Sequence, residues 1–204
     1  MSETAISPTR FSPSLNTTRD TEWILIDCDD VMADFASFIC NEMNKIGKQA
    51  EKSDYLEYRF MDYHELTHAQ FLEAVKSSNA FLKVKPFDGV KEALRVIKAK
   101  GFNIAIVTAR GMFENSKKNT QKWLSQNELI YDRLYVIDPR KTNKSAVFSK
   151  FEGDKIRGLV DDATHNLVDA MDNNVLAIRI EQPWNVKSPY DYSAPTLLEI
   201  AHQL

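Results

Sequence analysis

The sequence predicts an α/β domain, a Rossmann-like three-layer sandwich on a parallel sheet, with a small helical cap inserted after the first strand. Three observations predict it. Five short apolar runs, rich in Ile and Val, recur after residue 22. Segments with helical periodicity lie between them, and apolar strands alternating with helices are the pattern of a parallel sheet covered on both faces. One interval, residues 36–84, breaks the rhythm with helical patterns and no convincing strand.

The first 20 residues, MSETAISPTRFSPSLNTTRD, are rich in Ser, Thr and Pro and lack the apolar core of a secretion signal. A disordered lead-in is expected there. WILID (23–27) is the first strand. Roughly 50 residues then follow before the next crossover helix, far more than an ordinary connection. ADFASFICNEMNKIG and THAQFLEAVKSS make that stretch helical, so residues 36–84 are expected as a cap on a core of 21–35 and 85–204. DGVKEALRVIKAKG places Val90, Leu94 and Ile97 on one face and stops at Lys100-Gly101. FNIAIVT (102–108), RLYVI (133–137), IRGLV (156–160) and NVLAIRI (174–180) are the remaining strands. ENSKKNTQKWLSQ, NKSAVFSKF and THNLVDAMD fill the gaps as helices.

The composition narrows the function classes. A chain of 204 residues, 43% hydrophobic, can bury one sizeable core. A net charge of −3 gives no broad basic field, so stable nucleic-acid binding is not expected. No run approaches the roughly 20 apolar residues of a membrane span. Cys28 and Cys40 have no metal-type spacing, and a reducing, cytoplasmic setting is expected, as monomer or homodimer.

In open α/β sheets, ligands bind outside the carboxyl ends of the strands. The first strand delivers Asp27, Asp29 and Asp30 there, and the second delivers Thr108, Ala109 and Arg110. The helix beginning near Asn143 offers Lys144 in its first turn, with Asn143 as the cap, and the fourth strand ends in Asp161-Asp162. Carboxylates, a hydroxyl and an ammonium suit a hard cation such as Mg²⁺ together with a phosphate. A carboxylate can attack phosphorus, a cation can screen the repulsion between two anions, and Thr and Lys can hold the other phosphoryl oxygens. A second carboxylate two residues on lies on the same side and can protonate the leaving group. Arg110 is a further candidate for gripping phosphate.

Asp27-Cys28-Asp29-Asp30-Val31, Thr108, Lys144 and Asp161-Asp162, in that order, resemble the four motifs of the haloacid dehalogenase superfamily. The resemblance spans about residues 22–180. It implies Asp27 as nucleophile and Asp29 as general acid and base. It also implies Mg²⁺ held by the Asp27 side chain, the Asp29 carbonyl and Asp162, with Asp161 beside it. Asp27-x-Asp29-x-Val31-Met32-Ala33-Asp34-Phe35, with Asn79-Ala80-Phe81, Pro86 and Gly89, is similar to the 5′(3′)-deoxyribonucleotidases. In that family the Phe matching Phe35 faces the nucleobase, and a small helical cap encloses it. Position 30 departs from the pattern, being Asp where those enzymes usually have Gly. Arg140-Lys141, Lys144, Phe148 and Val160-Asp161-Asp162 also resemble the phosphatase half of phage polynucleotide kinase/phosphatases.

The function expected is therefore Mg²⁺-dependent removal of phosphate from deoxyribonucleoside monophosphates through an aspartyl-phosphate. A polynucleotide 3′-phosphatase and a non-catalytic binding protein on the same scaffold are the alternatives. His64-Glu65-Leu66-Thr67-His68 matches the zinc-protease pattern HExxH, which needs both histidines on one helical face. Thr67 with Gln70 instead reads as a capping box that starts the helix at His68 and leaves His64 outside. Pro183-Trp184-Asn185 follows the last strand and either lines the mouth of the site or packs over the sheet edge.

Overall fold

The computed structural model describes residues 22–186 and 192–204. The lead-in expected at residues 1–20 lies outside them. β1 (Glu22–Ile26) is buried after its first residue. Its side chains alternate between two cores, with Ile24 and Ile26 in one and Trp23 and Leu25 in the other. A strand packed on both faces has no polar side, which is why the run reads as continuously apolar.

The other strands are β2 (Asn103–Thr108), β3 (Arg133–Val136), β4 (Lys155–Asp161), β5 (Ala177–Ile180) and β6 (Ser193–Ala194). They form one sheet in the order β3-β2-β1-β4-β5-β6, every pair parallel. The order turns back at β1, so the carboxyl ends of β1, β2 and β4 meet at the switch point. β6 was not expected; two residues are too few to leave an alternating pattern.

Between β1 and the crossover helix stand α1 (Phe35–Met43), a 3₁₀ turn (Lys52–Asp54), α2 (Phe60–Tyr63), α3 (His68–Ser77) and α4 (Ala80–Lys83). The chain leaves and re-enters the core side by side. Asp34 N–H donates to the Lys85 carbonyl at 2.9 Å and Phe87 N–H to the Met32 carbonyl at 2.9 Å. α3 carries the expected capping box: Gln70 N–H donates to Thr67 Oγ1 at 3.3 Å and Thr67 N–H to Gln70 Oε1 at 2.9 Å.

α5 (Val90–Ala99) buries Val90, Leu94 and Ile97 as its periodicity predicts, and Gly101 leaves the helix at φ +92°. α6 (Ser116–Gln126) and α7 (Thr164–Asp172) follow the patterns of their segments. α8 (Leu197–Gln203), absent from the sequence reading, packs against α5. The segment 144–151 differs from expectation, being a 3₁₀ rather than an α-helix. With three residues per turn, Lys144 and Val147 fall on the same buried side. Asn143 does not cap it, because its side-chain amide donates to Asp169 at 2.8 Å. Among the described residues no helix is long and apolar enough to cross a membrane.

Candidate active site

β1 ends by feeding three carboxylates into three different surroundings. Asp27 is held at the carboxyl end of a central strand by its own N–H, which donates to the Val160 carbonyl at 2.9 Å. Its Oδ1 lies 2.7 Å from Lys144 Nζ, an ion pair without the alignment of a good hydrogen bond. Asp29 turns toward Arg110, which grips it with Nε–H at 2.9 Å and Nη2–H at 2.6 Å. Asp30 has φ +56°, the left-handed conformation that glycine adopts freely, and points back to accept the Ala36 N–H at 2.9 Å. It thereby satisfies a free donor at the start of α1, with Lys52 Nζ 3.8 Å away. The charge cluster at 27–30 is tolerated because each of the three carboxylates has a different cation beside it, Lys144, Arg110 and Lys52.

β4 brings the second acidic pair. Asp161 is fully buried and accepts from Lys144 Nζ at 2.6 Å, from Ala163 N–H at 3.0 Å, and from Asn166 Nδ2 at 3.1 and 3.2 Å. Asp162, also buried, accepts the Trp184 indole N–H on Oδ2 at 2.9 Å. Asn185 Nδ2 donates to the Asp162 carbonyl at 2.7 Å. Lys144 is 1% exposed, and burial works against its charge. Asp161 and Asp27 outweigh that and hold the ammonium above its usual pKa range. Burial pushes Asp27 up to about 7, with Lys144 pulling the other way and Asp161 and Asp29 adding to the rise. Asp162 is likewise raised, first by burial and then by Asp161.

Oxygens of Asp27, Asp161 and Asp162 converge within 4.8 Å of one another. Among the described residues, Asp27 Oδ1, Asp162 Oδ1 and Thr108 Oγ1 are buried without a hydrogen-bond partner. Buried polar atoms are ordinarily satisfied, so such atoms at the carboxyl ends of three neighbouring strands call for a ligand. Two crowded carboxylates need a hard cation, and a hydroxyl beside an ammonium suits an anion. The residues present fit Mg²⁺ and a phosphate.

Thr108 closes β2, and Ala109 leads into a 3₁₀ turn carrying Arg110. That turn lies against the end of β3, where Gly111 N–H donates to the Ile137 carbonyl at 2.8 Å. A Cβ on Gly111 would fall 2.4 Å from that oxygen, so only glycine permits the approach. Arg110 is 1% exposed, its guanidinium 4.5 Å from the Phe81 ring centroid, with Nη1 unpartnered.

A pocket of about 350 Å³ opens above these groups. Its floor includes Asp27, Asp29, Thr108, Ala109, Arg110 and Lys144, and its opposite wall includes Phe35, Tyr58, Phe60, Phe71 and Phe81. Asp27, Asp29, Phe35, Thr108, Ala109, Arg110 and Lys144, all singled out in the sequence, thus line one pocket, with Asp161 and Asp162 just behind its floor. Of the nearby lysines, Lys141 is exposed and pairs with Asp138, Lys150 is exposed, and Lys155 pairs with Glu22. His64 sits outside α3, with Nδ1 2.8 Å from the Lys48 carbonyl and Nε2 2.6 Å from the Tyr55 hydroxyl. Both ring nitrogens are engaged, so HExxH is not a zinc site here.

Sequence reasoning missed the groups that aim the carboxylates. Asn166 lies in the first turn of α7, two residues beyond its start, and only its nearness to Asp161-Asp162 pointed to it. Gln182 Nε2 donates to the Asp30 carbonyl at 2.8 Å across the whole chain, which no local pattern reveals. Trp184, read from the sequence as lining the mouth of the site or packing over the sheet edge, reaches Asp162 with its indole N–H.

A family model for haloacid dehalogenase-like hydrolases matches residues 24–146. No curated protein matches the chain. Among solved structures it is similar to a haloacid dehalogenase-like hydrolase from Streptococcus pneumoniae, at 17% identity and TM-score 0.63 over 90% of this chain and 98% of that one. A protein described as a predicted phosphoglycolate phosphatase from Haemophilus somnus gives 16% identity and TM-score 0.66, over 90% and 97%. A predicted phosphatase from Clostridium acetobutylicum gives 16% and 0.63, over 90% and 97%. At such identities these likenesses speak for the fold alone.

Proposed function

The chain belongs to the haloacid dehalogenase-like hydrolases, and from that premise we propose that it is a Mg²⁺-dependent phosphomonoesterase acting on deoxyribonucleoside monophosphates. One observation carries the phosphate chemistry. Buried oxygens of Asp27, Asp162 and Thr108 that accept no hydrogen bond gather at the strand ends with the buried Lys144 ammonium, which ion-pairs with Asp27. That set offers a nucleophile, cation ligands and two groups for phosphoryl oxygens.

In the proposed cycle an Asp27 oxygen attacks phosphorus, and the bond to the ester oxygen breaks. The nucleoside leaves as an alcohol, taking its proton from Asp29. Asp29 then takes a proton from water as that water hydrolyses the aspartyl-phosphate, regenerating Asp27 and releasing inorganic phosphate. Lys144 and Thr108 hold the phosphoryl oxygens throughout. Asp27 and Asp162, with Asp161 beside them, would hold Mg²⁺, which when bound screens the repulsion between Asp27 and the phosphate. For Asp29 to hand a proton to the leaving oxygen, the two contacts from Arg110 must be given up. Arg110 is then free to grip a phosphate oxygen.

The leaving group is read from the other wall. Residues 36–84 act as the cap, and their aromatic side chains with Phe35 favour a flat, largely apolar group such as a nucleobase. Cap closure would exclude water from the aspartyl-phosphate. The same floor would serve a polynucleotide 3′-phosphate, but a walled pocket favours the smaller substrate.

The test is phosphate release with Mg²⁺ from the deoxynucleoside monophosphates and from a 3′-phosphorylated oligonucleotide. Faster release from the monophosphates is expected. Preference for the oligonucleotide would overturn the substrate reading, and release from neither would overturn both.

A further inference from the structure

The loop after β5 holds a residue that the proposed reaction leaves unused. Trp184 donates its indole N–H to Asp162 Oδ2 at 2.9 Å, and its neighbour Asn185 donates to the Asp162 carbonyl at 2.7 Å. An indole N–H is a donor only, so it fixes the carboxylate with one oxygen engaged and leaves Oδ1, buried and unpartnered, for a cation. The same ring touches the insert. Phe60 packs against it with centroids 4.8 Å apart, Tyr58 stands edge-on at 6.3 Å, and Lys52 Nζ lies 5.8 Å from its centroid. One side chain therefore contacts both a candidate metal ligand and three residues of the helical insert.

We propose that Trp184 is a positioning residue for the divalent-cation site. It orients Asp162, and because Tyr58 and Phe60 rest on its ring, cation binding and docking of residues 52–63 on the core are coupled. The inference rests on the Mg²⁺ reading of Asp27 and Asp162 but not on any particular substrate. Coupling of this kind is reciprocal: whatever steadies the insert on Trp184 tightens the cation, and the cation steadies the insert.

The test is Mg²⁺ binding to the full chain by calorimetry, with no substrate present. Trp184→Phe keeps a ring against Phe60 and Tyr58 but has no N–H to give Asp162. Groups that orient metal ligands typically contribute tenfold or more in affinity, so Kd should rise about tenfold. Phe60→Ala, which touches no carboxylate, should weaken Mg²⁺ by about threefold if docking and binding are linked. In the unaltered protein, Mg²⁺ should slow amide hydrogen exchange across residues 52–63. That measurement stands even where a variant fails to fold. Wild-type affinity in Trp184→Phe would overturn the positioning role. Unchanged exchange in 52–63 would overturn the coupling. An unaltered protein that binds no Mg²⁺ would remove the metal site itself, and this inference with it.

Discussion

The two walls of the pocket are built on opposite physical terms. The floor, at the ends of β1, β2 and β4, rests on buried charge: Lys144 pairs with Asp27 and with Asp161 behind it, and an oxygen of Asp162 lies within 4.8 Å of both carboxylates. The facing wall, from α1 to α4, is mostly aromatic and apolar, with Arg59 and His68 its polar members, while Lys52 of the same insert pairs with Asp30 and Asp34. Buried charge holds one geometry because every partner lost leaves another group unsatisfied. Apolar packing is non-directional and tolerates substitution of similar volume. The floor is thus suited to one kind of chemistry, and the wall to distinguishing one leaving group from another.

The sharpest way to break that division is Asp27→Asn, which keeps the volume and removes the nucleophilic charge. Phosphate release should fall by about 10⁴-fold or more, with the circular dichroism spectrum unchanged. Turnover within tenfold of wild type would show that the floor does not do the chemistry. Next in size is Lys144→Met. It leaves Asp27 and Asp161 buried without their shared cation, and removing one partner of a buried pair costs about 3–5 kcal/mol. Urea unfolding should report that loss, and a loss under 1 kcal/mol would mean the network is far looser than its distances.

Much of the floor was legible because strand ends are local. Apolar runs 23–27 and 156–160 place Asp27 and Asp161-Asp162 by counting alone, and the sheet's parallel order brings them together. Position 30 was legible only as a departure, since nothing in the sequence says that an Asp there takes a glycine-like φ and caps α1. Arg110 was read as a candidate phosphate contact, and its pairing with Asp29, 81 positions away, had no local signal. Gln182 and Trp184 act across 152 and 22 positions. Periodicity carries information over a few residues, so contacts closed by tertiary packing leave no trace in it. The 3₁₀ form of 144–151 was hidden for the same reason, its geometry being decided by where Lys144 must reach.

The wall is tested by Phe71→Ala. Phe71 lines the pocket from α3, its nearest aromatic partner being His68 at 6.2 Å. Losing the ring should raise KM for a deoxynucleoside monophosphate about tenfold, the equivalent of about 1.4 kcal/mol of lost apolar burial. A small aliphatic phosphate ester, too short to reach α3, should show no change. Equal losses on both substrates would mean the wall supports the fold rather than reading the leaving group.

The smallest effect separates the two regions by pH. His64 belongs to the insert and has no exposed surface. Its Nδ1–H must donate to the Lys48 carbonyl, so the neutral ring accepts the Tyr55 hydroxyl on Nε2. Protonation would set a donor against that hydroxyl inside an apolar surrounding, and burial accordingly lowers the His64 pKa below its ordinary 6.5. The unfolded chain then binds a proton that the folded insert refuses. This contribution to stability is present above about pH 6.5 and is lost as pH falls toward the lowered folded value. Between pH 7 and 5 the insert should weaken, read as faster amide exchange across residues 48–66 while β1 and β4 keep their protection. His64→Gln should flatten that dependence, since Gln does not titrate. Equal loss of protection in insert and sheet would mean that the two walls unfold as one unit.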